Sequence, residues 1–188
     1  MALREISVEA EIWPLRNAFT ISRGSKTEAH VIVVEIREDG KVGRGESVPY
    51  PRYNETVDGV IARIKSLESE IKNGLDRNGL QSLMKAGAAR NAVDCALWDL
   101  EAKLSNKPVW QLARLNPPKA VLTAITISLD SPEAMGRAAA QLSGAHLLKI
   151  KLDDQQIVAR VQAVRENARA TRIILDANES WTLEILKE

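Results

Sequence analysis

The chain has 188 residues, with 26 Lys plus Arg against 25 Asp plus Glu, a formal net charge of +1 and 45% hydrophobic residues. That is globular composition for one domain or two small ones, and the balanced charge leaves no electrostatic footprint for nucleic acid or a membrane surface. No apolar run approaches the roughly 18 residues of a spanning helix, and Met1-Ala2-Leu3-Arg4-Glu5-Ile6 lacks the layout of a secretory signal, so a cytoplasmic location is expected.

The residue inventory removes several chemistries. Only His30 and His146 are present and nothing has zinc-ligand spacing. Gly40, Gly43 and Gly45 fit no phosphate-binding glycine pattern, and there is no G-x-S-x-G elbow. Cys95, the single cysteine, excludes an internal disulfide, and its neighbours Ala92, Val93, Ala96 and Leu97 suggest an apolar, buried role in a reducing compartment.

In chain order, Ile6, Val8, Ala10 and Ile12 alternate with polar residues, the period of a strand that is expected to end at Pro14. A loop is expected over Leu15 to Thr27, carrying Arg16, Arg23, Gly24 and Lys26. A second strand covers Val31 to Ile36, and Asp39-Gly40 turns the chain into a third that ends at Gly43-Arg44-Gly45-Glu46. Pro49-Tyr50-Pro51-Arg52-Tyr53 is a rigid loop, with Asn54 as the expected cap of a helix striped by Val57, Val60, Ile61, Ile64, Leu67 and Ile71 and closed by Asn73-Gly74. A short element follows near Leu80–Lys85, and then a helix from about Ala88 to Leu104.

Residues 1–115 therefore read as an α+β unit. Asn116-Pro117-Pro118 marks a boundary, and residues 116–188 alternate strand and helix: Val121–Leu129, a helix capped by Ser131 with Pro132 first, Leu147–Leu152, a helix striped by Ile157, Val158, Val161 and Val164, then Arg172–Asp176. A last helix starts near Trp181. These are parallel β/α units, too few to close a β/α barrel.

Two-residue periodicity puts Lys149 and Lys151 on one face of their strand, away from Ile150 and Leu152. At a barrel mouth, crowding and desolvation favour the neutral amine that a general base needs; the alternative is that one or both snorkel to solvent. Asp176 ends the next strand, where a carboxylate can meet a hard cation, or where Asp176, Asn178 or Ser180 can cap the following helix.

In this order and spacing the residues resemble the enolase superfamily, and within it the dipeptide epimerases of the L-Ala-D/L-Glu type. Gly43-Arg44-Gly45-Glu46 resembles the segment closing the capping-domain sheet. Ala89-Arg90-Asn91-Ala92-Val93-Asp94 with Ala96-Leu97-Trp98-Asp99-Leu100 resembles the long capping helix. Thr123–Ser128 is similar to the first barrel strand, Lys149-Ile150-Lys151 to the K-x-K motif and Asp176-Ala177-Asn178 to the first metal-ligand motif. The resemblance implies an α+β capping domain followed by the first β/α units of a truncated TIM-type barrel. It also implies a magnesium-dependent isomerase that epimerises L-Ala-D/L-Glu-type dipeptides in cell-wall peptide recycling.

By the same resemblance Lys151 is one of two acid/base lysines, Lys149 its electrostatic neighbour and Asp176 one of three carboxylate ligands to Mg2+, the cation meeting an enediolate. Arg23, Thr126 and Tyr53 are the expected substrate-binding residues. Arg23 can pair with a substrate carboxylate or remain an exposed loop arginine, and Tyr50 and Tyr53 can wall the pocket or pack between domains. The two further ligands, the second lysine and the Asp-x-Asp segment of the pattern are not among these residues, so the chain alone is expected to be inactive. The competing readings are an o-succinylbenzoate synthase or muconate-type cycloisomerase on the same scaffold, and a non-catalytic truncated fragment that could persist as a homo-oligomer.

Overall fold

The computed structural model describes residues 4–187, so Met1, Ala2 and Leu3, from the segment read above for a secretory signal, and Glu188 lie outside the described residues. The chain divides into two compact units, one built from the residues up to Trp13 with Ala29–Pro118, the other from Pro14–Glu28 with the residues from Lys119 onward.

In the first unit the sheet has the order β1-β2-β3, with β1 at Glu5–Ile21, β2 at Gly24–Glu38 and β3 at Lys41–Ser47. Asp39 and Gly40 both have positive φ, 47° and 72°, the backbone of a tight hairpin turn, and β2 pairs antiparallel with β3 from Glu38↔Lys41 to Ile32↔Ser47. The expected stop at Pro14 and the loop over 15–27 are not found. β1 continues through Pro14 to Ile21, and β2 begins at Gly24. A proline is tolerated there because, among the described residues, β1 is the edge strand of its sheet, and an edge strand can spare a ladder N–H on its outer side.

Ile32, Val34 and Ile36 of β2 form a core with Val60, Ile64, Leu80, Ala92, Val93, Ala96 and Leu100. The helix expected over 57–71 is two, α1 (Val57–Lys65) and α2 (Glu68–Lys72), yet Leu67 and Ile71 still reach the core. Thr56, rather than Asn54, caps α1, its Oγ1 accepting from Gly59 N at 3.1 Å, while Asn54 is left-handed and closes a 3-10 turn over Pro51–Tyr53.

After α3 (Arg77–Leu83) comes α4 (Ala88–Ser105), which lies directly on β3. A Cβ on Gly43 would sit 2.2 Å from the Ala96 carbonyl oxygen and one on Gly45 2.0 Å from that of Ala92, so only glycine permits this approach. Asp99 Oδ2 accepts from Arg44 N (2.8 Å), and Asn91 Nδ2 donates to the Glu46 carbonyl (3.0 Å). The start of α4 has no local cap; Glu55 Oε1 accepts from Ala88 N at 2.6 Å instead. Cys95 is exposed, contrary to the buried role expected, because the buried stripe of α4 is Ala88, Ala89, Ala92, Val93, Ala96, Leu97 and Leu100 and Cys95 lies off it. Leu104, at the end of that stripe, is also exposed. A short helix, α5 (Val109–Leu112), precedes the boundary.

The second unit is a parallel sheet in the order β4-β5-β6, with β4 at Ile125–Ile127, β5 at Leu147–Lys151 and β6 at Arg172–Asp176. β4 is shorter than the expected Val121–Leu129. Helices α6 (Pro132–Gln141) and α7 (Ile157–Asn167) connect the strands, and α8 (Leu183–Lys187) follows β6. Ser131 Oγ caps α6 by accepting from Ala134 N at 3.2 Å. Ile127, Leu148, Ile150 and Leu152 pack with Met135, Ala139, Val164 and Ala168 to make this unit's core. The tip of the β1–β2 hairpin belongs here: Leu129 N donates to the Thr20 carbonyl (3.1 Å) and Ser128 Oγ to that of Ala18 (3.4 Å).

Candidate active site

The apolar demand of one core aims the polar residues of β5. Leu148, Ile150 and Leu152 are fully buried toward α6 and α7, so the alternate residues Lys149 and Lys151 must face the other side of the sheet. The parallel register then places Thr126 beside Lys149, Lys149 beside Ile174 and Lys151 beside Asp176. Thr126, Lys149, Lys151 and Asp176 thus share one face, with Lys151 and Asp176 at the C-terminal ends of their strands.

Both lysines converge on one oxygen. Lys149 Nζ and Lys151 Nζ each lie 2.7 Å from Asp176 Oδ2. Their settings differ: the Lys149 side chain is 35% exposed and that of Lys151 only 8%. Lys151 therefore does not snorkel, and it gains a second acceptor, Asn178 Oδ1, at 3.0 Å. The Phe19 ring stands with its centroid 5.7 Å from Lys151 Nζ. The hydrogen bond from Lys149, then that from Lys151, and also one from Asn178 N to Oδ1 at 3.0 Å hold the Asp176 carboxyl well below the usual carboxylate range, against the opposing effect of burial. Asp176 does not cap α8; Thr182 Oγ1 accepts from Ile185 N at 3.4 Å.

The loops around this mouth are knitted together. Arg160, buried, donates to the Asp130 carbonyl after β4 (2.9 Å) and to Asp153 Oδ1 after β5. Trp181 Nε1, after β6, donates to the Asp153 carbonyl at 2.8 Å. Arg23, at the hairpin tip, donates from Nη1 to the Asn178 carbonyl (3.0 Å) and lies 3.6 Å from Glu179 Oε2, with its side chain 41% exposed. Tyr53 belongs to the first unit, where its ring is 5.7 Å from that of Tyr50 and the residue is 70% exposed.

Asn178 and Phe19 are the residues whose part sequence reasoning missed. In sequence Asn178 reads only as a cap or as part of a motif, and its position two residues after Asp176 is the available signal. Phe19 was hidden by reading Leu15 to Thr27 as loop. As a cation site, Asp176 offers one anionic oxygen ligand suited to a hard metal, but no cluster of three or more His, Cys, Asp or Glu side chains that could hold a metal exists among the described residues.

A family profile described as mandelate racemase / muconate lactonizing enzyme, N-terminal domain, matches residues 3–113. The L-Ala-D/L-Glu epimerase of Escherichia coli K12 is 45% identical over 184 residues, covering 97% of this chain and 57% of that protein. Among solved structures, an enolase family member from Agrobacterium tumefaciens with homology to dipeptide epimerases, bound to sodium and L-Ala-L-Glu, superposes with a TM-score of 0.93 at 45% identity, covering 98% of this chain and 56% of the other. A dipeptide epimerase from Enterococcus faecalis V583, complexed with Mg and L-Leu-L-Tyr, gives a TM-score of 0.87 at 31% identity, over 98% and 56%. The chain thus spans somewhat more than half the length of each of these three relatives.

Proposed function

This chain belongs to the mandelate racemase / muconate lactonizing enzyme family of the enolase superfamily, and we propose that it forms the N-terminal portion of an isomerase that epimerises L-Ala-D/L-Glu-type dipeptides. The observation that carries the reading is the convergence of Lys149 and Lys151 on Asp176 at adjacent strand ends. In this reading Lys151 removes the α-proton of the C-terminal residue. The buried setting excludes water from its amine, and Asn178 and Asp176 fix its direction. Lys149 adds positive charge beside the carboxylate on which negative charge develops. Arg23 offers a guanidinium fork to a substrate side-chain carboxylate, and Thr126 lies on the same face of the sheet.

Asp176 is the residue that would hold Mg2+, whose charge stabilises the enediolate when bound. The remaining ligands and the acid/base group on the opposite face of the substrate come from beyond these residues, and the isolated chain is inactive. The units proposed are a capping domain over residues 1–115 and the start of a β/α barrel over 116–188.

The test is a chimaera joining this chain to the C-terminal segment of the E. coli relative, supplied with Mg2+ and L-Ala-L-Glu in heavy water. Deuterium at the glutamyl α-carbon, lost in Lys151→Ala, is the expected result. A folded chimaera that leaves that carbon unlabelled overturns the proposal.

A further inference from the structure

Asn178 makes contacts that neither helix capping nor a lone metal-ligand role for its neighbour requires. Its N–H donates to Asp176 Oδ1 (3.0 Å), its side-chain Oδ1 accepts from Lys151 Nζ (3.0 Å), and its carbonyl accepts from Arg23 Nη1 (3.0 Å) and Ser22 Oγ (3.5 Å). One residue thereby joins a strand-end carboxylate, a lysine on the neighbouring strand and the hairpin tip. The backbone serves this junction: Asn178 and Glu179 have φ of 48° and 68°, two successive left-handed residues of which neither is glycine. Asparagine is among the few side chains that tolerate this conformation, so residue type and turn geometry agree.

The two lysines share Asp176 Oδ2 as acceptor, and Asn178 Oδ1 distinguishes them. Lys151 has it in addition, and is the more buried of the two. A long, flexible amine needs two fixed acceptors to hold one direction, because a single bond leaves its terminal torsions free. We propose that Asn178 is a positioning residue: its side-chain oxygen holds Lys151 in the direction it takes at the mouth, and its carbonyl ties the Arg23 hairpin tip to the same point. The importance of this for catalysis rests on the reading of Lys151 as an acid/base group. The contact itself does not.

The experiment is competitive acetylation of the 188-residue chain, with the labelling of Lys149 and Lys151 read by mass spectrometry. Asn178→Gly keeps the left-handed backbone and the carbonyl while deleting Oδ1; Asn178→Asp keeps an acceptor oxygen. In the parent chain Lys151 is expected to label more slowly than Lys149. Asn178→Gly raises Lys151 labelling by roughly tenfold, the scale of one lost hydrogen bond to a charged group, with Lys149 changed little, and Asn178→Asp restores protection. Equal labelling of the two lysines in the parent overturns the proposal. So does an Asn178→Gly chain whose Lys151 stays protected, which would reduce Asn178 to a backbone role. Because labelling needs no turnover, its failure and a failure of deuterium exchange in the chimaera are separately visible.

Discussion

Asp176 accepts from two ammonium groups through a single oxygen, and this makes it a residue through which pH acts on the second unit. The pKa of its carboxyl is held below the ordinary carboxylate value by Lys149 and Lys151, so the folded chain binds that proton less readily than the unfolded one. The resulting stabilisation is complete above the ordinary carboxylate range and is lost as pH falls beneath it. Asp176→Asn is therefore expected to cost about 1–3 kcal/mol near neutrality and to flatten the fall in urea midpoint from about pH 5 down to about pH 2; parallel midpoint curves for the two proteins would refute this. Cys95 supplies a second titration. Partial desolvation, then Asp94 and Glu46, push its thiol up, so native chain should react with a thiol reagent more slowly at neutral pH than a free cysteine does, and the rate should climb with pH. A rate equal to that of the free thiol would contradict it. At this scale the pairing of Lys149 and Lys151 on one face was legible because period two follows from strand geometry alone. The place of Cys95 was not, since its apolar neighbours in sequence lie on a different side of the helix.

Elements were readable where local chemistry decides them and misread where a neighbour does. Ser131-Pro132 starts α6 and Asp39-Gly40 turns β2 into β3 by local rules, and both were legible. Pro14 is an end signal by the same rules, and it failed because an edge position removes the penalty. In sequence the Gly43 and Gly45 pair reads only as part of a family segment. The structure supplies the physical reason, a helix backbone lying where a Cβ would be. Gly45→Ala should accordingly destabilise the first unit by at least about 2–3 kcal/mol, because the atom it meets is a main-chain carbonyl that cannot rotate away. Gly24→Ala, at the hairpin tip, meets nothing within 4 Å and bears only its backbone strain at φ 140°. A thermal melt compares the two, and a Gly45 variant as stable as the parent would show that α4 can shift outward at little cost.

For the whole molecule, the alternation of strand with helix after Pro118 was enough to anticipate a parallel sheet. The membership of Pro14–Glu28 in that unit was not, because it depends on pairings such as Thr20 with Leu129, far apart in the chain. The sheet itself is open. β5 is bonded on both sides, whereas β4 and β6 each have one partner among the described residues, and the apolar residues Ile174 and Leu175 of β6 and Leu183 and Leu186 of α8 remain exposed. Unpaired main-chain groups beside uncovered apolar side chains are a template for a further strand. In the relatives this chain matches, more than two-fifths of the length lies outside the matched segment, which is where such a strand would come from. Hydrogen exchange of the isolated chain should then show β5 amides protected and β6 amides exchanging at least about tenfold faster, with oligomers growing as concentration rises. Addition of the C-terminal segment of the E. coli relative should slow β6 toward β5 and dissolve those oligomers. If β6 is already as protected as β5 in a concentration-independent monomer, the edge is satisfied within the chain and the second unit is a finished domain in its own right.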